Sequence, residues 1–160
     1  MSGLQRIGRM PSALQLDFRF RWALYAAFAV LFVTGVVWLV AAALKDTAEG
    51  EFWQQASAFL LMIHGGAAMV TLVLLGALVP VHIQRAWRSR QNRLTGTAMA
   101  TANVVLIATA FGLYYAGSDV LRAWTSDVHI AIGLIFPALL VVHILTGRRR
   151  LDADDQKPSG

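Results

Sequence analysis

Four long apolar segments, separated by short polar ones, make up most of the chain. Each has at least the roughly 20 residues that an α-helix needs to cross a hydrocarbon core of about 30 Å. The pattern predicts an all-α membrane protein with one domain, residues 1–150, built from four transmembrane helices. The polar residues 151–160 are predicted to form a disordered tail. The predicted spans are Trp22–Leu44, Ser57–Ile83, Thr97–Ala116 and Thr125–Leu145.

Composition supports the membrane class and narrows the choice of cofactor. The chain of 160 residues is 57% hydrophobic and only 14% charged, and a soluble domain of this length would need more polar surface to cover its core. Cysteine is absent. Its absence excludes disulfides, thiolate-bound iron–sulfur clusters and covalently attached c-type haem. Any cofactor must therefore be held without thiols.

The distribution of positive charge predicts the orientation in the membrane. Of the 14 Lys and Arg residues, all but Lys45 and Arg122 lie before the first span, between the second and third, or after the fourth. Short basic segments stay in the cytoplasm, so we expect both termini there. The helices would then form an up-down-up-down bundle in a bacterial inner (cytoplasmic) membrane. The net charge of +5 is explained by this topology and by attraction to membrane lipid, without a nucleic-acid partner.

All four histidines lie in the second and fourth predicted helices. In the predicted topology these helices run parallel, so the histidines pair by depth: His64 with His129 near the outer surface, and His82 with His143 near the inner one. The 18-residue step in helix 2 is about five whole turns, and the 14-residue step in helix 4 leaves its two histidines about 40° apart. Both pairs can therefore face the interior of the bundle. The unequal steps require tilt, or kinks at Pro80 and Pro137.

Haem suits these pairs better than the alternatives. Hydrogen bonding between helices is the plain interpretation of one buried histidine, but four paired imidazoles within a membrane indicate function. Structural zinc would need more ligands at each level. A proton relay would need polar groups between the levels, where only Thr71 is present. Two imidazoles can fill both axial positions of a haem iron. We therefore expect two haems: His64 and His129 would bind the outer iron, and His82 and His143 the inner iron.

The glycines and basic residues near the histidines can each be interpreted as part of a haem site or as ordinary packing and topology residues. Glycines near the histidines would allow a flat macrocycle, or simply a neighbouring helix, to approach the backbone. Arginines near the inner level would pair with propionates or act only as topology signals, and Lys45 and Arg122 have the same two possible roles at the outer level. Asn103 is expected to make an interhelical hydrogen bond; lining a quinone pocket or orienting a ligand are its other possible roles. The glycines are Gly35, Gly65, Gly66, Gly112 and Gly133, and the inner arginines are Arg21, Arg85, Arg88 and Arg148.

Paired histidines in two parallel spans, without cysteine, resemble the bacterial di-haem cytochrome b membrane subunits. This group includes cytochrome b561-like proteins and the cytochrome b subunits of hydrogenases and formate dehydrogenases. The resemblance covers about residues 20–150 and rests on the four histidines, with H-I-A-I-G and V-V-H-I-L-T-G in helix 4. It implies two haem b groups that pass electrons between quinone and a redox partner protein, a periplasmic or membrane subunit. Several of these families also carry a haem ligand on helix 1, which here has no histidine.

Three functions follow from these observations. The first is an electron-transfer subunit of a larger respiratory or oxidoreductase complex; short loops leave substrate chemistry to another chain, and no catalytic residue is assigned. The second is a stand-alone cytochrome b oxidoreductase acting on superoxide or ferric iron. The net acidic outer loops disfavour it. The third is a non-redox anchor subunit whose histidines bond across helices. A colourless purified protein would select that third function.

Overall fold

The computed structural model describes residues 18–47, 50–78 and 93–155, with side-chain surroundings up to residue 147. This part of the chain is helical and contains no strand. The helices are α1 (Phe18–Leu44), α2 (Gly50–Leu78), α3 (Arg93–Tyr115) and α4 (Asp119–Asp155). Each of the four is long and apolar enough to cross a membrane, which confirms the predicted class. His82, Pro80, Arg85 and Arg88 lie outside the described residues.

The four helices pack as two sequential pairs. Helices α1 and α2 contact each other closely along their length, as do α3 and α4, whereas a smaller set of contacts joins α1 to α4. One of these joining contacts is aromatic: the rings of Phe28 and Phe136 lie 4.9 Å apart between centroids. Phe136 is only 6% exposed. The interior between the two helix pairs is therefore more open than the interior of either pair.

A seven-residue repeat defines the inward side of each helix. In α1 the buried residues are all small, which lets neighbouring backbones approach closely. Repetition every seven residues keeps one face of a helix towards its neighbours in a gently supercoiled bundle. The repeat carries three of the four histidines on this inward side. Its members are Ala27, Thr34 and Ala41 in α1; Ser57, His64 and Thr71 in α2; Thr95, Ala102 and Thr109 in α3, followed by Ala116 just after its end; and His129, Phe136 and His143 in α4.

The turn after α1 depends on a hydroxyl and a glycine. Thr47 donates its hydroxyl to the Leu44 carbonyl at 2.7 Å and its backbone N–H to the same oxygen at 3.0 Å. These bonds satisfy a carbonyl that the helix end leaves free. A Cβ at Gly50 would collide with the backbone carbonyl oxygen of Lys45, so a glycine is needed where α2 begins.

The connection between α3 and α4 is short and tightly packed. Helix α3 ends before Gly117, and Ser118 precedes α4 at a position that favours hydroxyl residues. The Arg122 guanidinium donates to the Ala116 carbonyl at 3.2 Å. One turn further into the pair, a Cβ at Gly112 would lie 2.9 Å from Cγ2 of Thr125. Glycine at 112 therefore allows the close approach of the two helices.

The helix surfaces are largely apolar, and large hydrophobic side chains such as Met62, Val73 and Phe111 are well exposed. An apolar exterior of this extent suits lipid contact rather than water. Helix α4 continues past the predicted end of its span at Leu145, through the basic residues, to Asp155. The first five residues of the predicted tail are thus helical, and residues 156–160 lie outside the described part. Arginine and leucine favour helices, so the helix does not end where the apolar run does.

Candidate functional site

His64 of α2 and His129 of α4 face each other between the two helix pairs. Their ring centroids are 6.3 Å apart, and the ring planes are inclined at 71°. Both rings are partly buried. The structure therefore brings together the pair that the sequence predicted for the outer level, although the two residues lie 65 positions apart in the chain.

A threonine from the adjacent helix holds the His64 ring. Thr34 of α1 is buried, and its hydroxyl oxygen lies 3.0 Å from Nδ1 of His64. The next residue is Gly35, where a Cβ would stand 3.4 Å from Cε1 of the same ring. Helix α1 thus supplies two polar neighbours to the imidazole, the Thr34 hydroxyl and the Leu31 backbone carbonyl, and leaves space for its edge.

The second helix pair repeats this arrangement. Thr109 of α3 places its hydroxyl oxygen 2.8 Å from Nδ1 of His129 in α4. Each helix pair therefore carries a complete threonine–histidine unit, and the two units meet at the interface between the pairs. In both units Nδ1 is engaged by the threonine, which leaves Nε2 as the remaining ring nitrogen for a ligand.

A third unit lies deeper along α4. His143 Nδ1 is 3.1 Å from the Thr95 hydroxyl oxygen, and a Cβ at the next residue, Gly96, would be 4.0 Å from Cε1 of His143. Thr95 and Thr109 are 14 residues apart, as are His129 and His143. Because Thr109 pairs with His129 and Thr95 with His143, α3 and α4 run antiparallel. At 1.5 Å per residue, the two histidine levels on α4 are about 21 Å apart. The predicted partner of His143, His82, lies outside the described residues.

The separation of the His64 and His129 rings matches that of two imidazoles bound to one metal. With about 2.0 Å from a metal to each nitrogen and about 1.1 Å from that nitrogen to the ring centre, two imidazoles on opposite sides of one metal have centres roughly 6.2 Å apart. The observed centroid separation is 6.3 Å. Two neutral nitrogen donors without a nearby carboxylate suit a haem iron, whose other four ligands come from the porphyrin. The donor set of His64 and His129 therefore fits haem.

An apolar groove lies on the α3–α4 pair. It is open, has a volume of about 520 Å³, and its lining is almost wholly apolar. Ile132, Phe136 and Leu139 belong to this lining and lie on the same face of α4 as its two histidines. An apolar wall of this kind is compatible with the faces of a porphyrin.

The predicted glycines separate into two groups. Gly35 lies beside His64, and Gly112 packs against Thr125, so each has a close neighbour that explains its size. Among the described residues, a Cβ at Gly65 would approach the Tyr114 hydroxyl, at 3.9 Å, and one at Gly66 or Gly133 would have no neighbour within 4 Å beyond its own helix backbone. Helix packing accounts for Gly112, and the described part of the chain leaves space at Gly66 and Gly133.

The predicted polar partners take mostly local roles. Arg21 is exposed in the first turn of α1. Arg122 bonds the α3–α4 connection instead of reaching the outer histidine level. Asn103 was expected to bond between helices, but its Nδ2 donates to the Met99 carbonyl of its own helix at 2.9 Å. This expectation was wrong, because an amide in a helix interior readily bonds the carbonyl one turn before it. Thr71 likewise donates to Ala67 at 2.8 Å.

The threonines of the site were missed by sequence reasoning, although a signal for them exists. V-L-F-V-T-G at 30–35 and V-L-I-A-T-A at 105–110 share a pattern: Val, Leu, two apolar residues, Thr and a small residue. One copy lies in the first helix of each pair, and each precedes a histidine in the second helix. Comparing the two halves of the chain for this pattern would have identified Thr34 and Thr109.

Among the described residues, no three His, Cys, Asp or Glu side chains come together as a metal-binding group. Haem iron takes only two ligands from the protein, so a bis-histidine haem site would not contain a group of three such side chains. No family model matches the chain, and neither a curated protein nor a solved structure matches it.

Proposed function

We propose that this protein is a membrane electron-transfer cytochrome b that carries two b-type haems, each bound by two histidines. His64 and His129 bind the outer haem iron, and His82 and His143 bind the inner one. The observation that carries the proposal is the outer pair: two imidazoles from different helix pairs, 6.3 Å apart between centroids, each with Nδ1 engaged by a threonine.

When bound, haem supplies a one-electron couple between ferric and ferrous iron. His64 and His129 would supply the two protein ligands of the iron, which would leave no position for oxygen or a substrate. The side chains around them are mostly apolar. A site of this kind passes electrons rather than transforming a bound substrate.

The second level extends the site across the membrane. His143 has the same threonine contact as the outer histidines and lies about 21 Å further along α4. Two haems at these levels give an electron route from one membrane surface towards the other. The predicted topology, an up-down bundle with cytoplasmic termini in a bacterial inner membrane, places the His64 level towards the outside.

The physiological route joins the quinone pool to a redox partner protein, a periplasmic or membrane subunit of a larger complex. The short connections support a dependence on such a partner. The connection from α3 to α4 spans only residues 116–118. No catalytic domain can be built from it, so substrate chemistry belongs to another chain.

Haem content tests the proposal directly. The protein is purified in mild detergent from cells that make haem, and haem per chain is measured as the pyridine haemochrome together with reduced-minus-oxidised spectra. We expect two non-covalent haems per chain with low-spin, six-coordinate spectra. His64→Ala and His129→Ala should each lose one haem, and the double variant should lose no more than either single variant, because both residues bind the same iron.

Asn103→Ala is the matched control, since the Asn103 side chain donates a hydrogen bond to the Met99 carbonyl of its own helix. It should retain both haems. A colourless wild-type protein would overturn the proposal and favour the anchor function. Loss of different haems in the two histidine variants would contradict their pairing.

A further inference from the structure

We propose that Thr34 and Thr109 are positioning residues that fix the tautomer of the two facing histidines. Each threonine accepts a hydrogen bond from the Nδ1–H of its histidine, which leaves Nε2 without a proton and able to bind a metal. The assignment of the tautomer stands on the contacts of this chain alone. Its consequence for the haem rests on the proposed function.

The single hydroxyl proton of Thr34 decides the direction of its bond to His64. The Thr34 hydroxyl oxygen lies 2.6 Å from the Val30 carbonyl oxygen and 3.2 Å from that of Leu31. Two oxygens as close as 2.6 Å must share a proton, so the hydroxyl donates to the backbone of its own helix. The contact of 3.0 Å with Nδ1 of His64 is then a hydrogen bond only if Nδ1 carries the proton.

Thr109 leads to the same assignment for His129. Its hydroxyl oxygen lies 2.7 Å from the Val105 carbonyl oxygen and 3.1 Å from that of Leu106, so its proton is also committed to the helix. Nδ1 of His129, at 2.8 Å, must therefore donate. Both helix pairs therefore have the same hydrogen-bond directions: the hydroxyl proton points to the backbone carbonyl, and a lone pair of the hydroxyl oxygen points to the imidazole.

The hydrogen bond from Nδ1–H fixes the orientation of Nε2 and adjusts how strongly Nε2 donates to a metal. With Nδ1–H held by a threonine in the neighbouring helix, the ring cannot rotate without losing a hydrogen bond in an apolar interior. A neutral hydroxyl acceptor raises the basicity of the imidazole less than a carboxylate would. Removing the acceptor should weaken the donor strength of Nε2, destabilise the ferric state, and shift the reduction potential of the outer haem upwards.

Thr71 provides a matched control. It is buried in α2 and donates its hydroxyl to the carbonyl four residues before it, at 2.8 Å, as Thr34 and Thr109 do. It lies on the same face as His64, two helical turns away, and no histidine contact to its hydroxyl occurs among the described residues. Thr71→Val therefore removes a comparable helix hydroxyl without removing an acceptor from an imidazole.

The first experiment determines the tautomers without haem. The full chain, labelled with ¹⁵N-histidine and purified haem-free in detergent, has only four histidines, and single His→Gln variants assign their ring-nitrogen signals. We expect His64 and His129 each to show a protonated Nδ1 and an unprotonated Nε2. Thr34→Val removes the hydroxyl acceptor, leaves only the Leu31 carbonyl near the ring, and should therefore shift the Nδ1 signal of His64. Thr34→Ser, which keeps the hydroxyl, should restore the wild-type pattern, and Thr71→Val should leave it unchanged.

The second experiment measures the potential of the outer haem by redox titration. Thr34→Val and Thr109→Val should raise it, Thr34→Ser should return it to the wild-type value, and Thr71→Val should not move it. Protonated Nε2 in wild-type His64 or His129 would overturn the proposal, as would equal potentials in Thr34→Val and Thr71→Val. If the chain binds no haem, the proposed function fails while the first experiment still decides the tautomer assignment.

Discussion

A close helix contact near the site, between Gly112 of α3 and Thr125 of α4, allows a sharp test of the structure. Thr109 lies three residues before Gly112, and His129 lies four residues after Thr125, so this contact sets how α3 and α4 meet beside the outer threonine–histidine unit. The perturbation is Gly112→Ala, which adds one methyl group. We expect it to push the helices apart, destabilise the protein and lengthen the bond between Thr109 and His129.

The magnitude follows from the local geometry. The added Cβ would lie 2.9 Å from Cγ2 and 3.4 Å from Oγ1 of Thr125, whereas carbon atoms prefer a separation of roughly 3.5–4.0 Å. Thr125 also donates its hydroxyl to the Leu121 carbonyl at 2.6 Å, which restricts its side chain. Overpacking of this kind costs about 1–3 kcal/mol.

Gly76→Ala is the control that isolates this steric cost. Gly76 lies in the last turn of α2, and among the described residues a Cβ there would have no atom within 4 Å beyond its own helix backbone. Both variants gain up to about 1 kcal/mol of helix propensity from the same chemical change. The difference between their free energies of unfolding, measured by SDS titration in mixed micelles, should therefore be about 1–3 kcal/mol, with Gly112→Ala the less stable.

Equal stability of the two alanine variants would refute the reasoning, because it would mean that α3 and α4 do not approach as closely at Gly112 as described. A destabilised Gly112→Ala with unchanged haem content would support the packing argument. That outcome would also show that the threonine–histidine unit tolerates a displacement of its helices.

Three further predictions address the site and its orientation. The angle of 71° between the His64 and His129 rings predicts a strongly anisotropic low-spin ferric EPR signal for the proposed outer haem, since crossed axial rings leave two iron d orbitals nearly equal in energy. A signal typical of parallel rings would contradict this prediction. Gly35→Ala should retain this haem, because its Cβ would only touch Cε1 of His64, at 3.4 Å, whereas Gly35→Val should lose most of it, measured as haem per chain. Full haem occupancy in the valine variant would contradict the contact. Because the chain has no cysteine, Lys45→Cys should react with an impermeant maleimide added outside spheroplasts, and Arg21→Cys only after permeabilisation; the reverse pattern would invert the topology.

Much of the architecture follows from local properties of the chain. The apolar runs predicted four spanning helices because length and hydrophobicity are enough to identify a transmembrane helix. Helix ends were less predictable, since α2 begins at Gly50 and α4 continues to Asp155, beyond the apolar runs. The pairing of His64 with His129 was predicted from depth and rotation, and the structure brings these rings together.

The contacts that complete the site are visible only in the tertiary structure. Thr34 and Thr109 read as ordinary helix residues, because a hydroxyl that bonds its own backbone is common in apolar helices. Only the packing of α1 on α2 and of α3 on α4 shows that a second lone pair of each oxygen meets an imidazole. Asn103 and Arg122 illustrate the converse, since the sequence allows both side chains to reach across the bundle, whereas in the structure both bond locally.

The sequence by itself determined the membrane class, the presence of four spanning helices and the match in depth between His64 and His129, because hydrophobic length and helical periodicity act within a single segment. The tertiary structure decided which side chains hold the imidazoles and which glycines have close neighbours. Those properties depend on the separation of two helices to within a few tenths of an ångström. Such distances result from packing between segments far apart in the chain, so periodicity within one segment does not specify them.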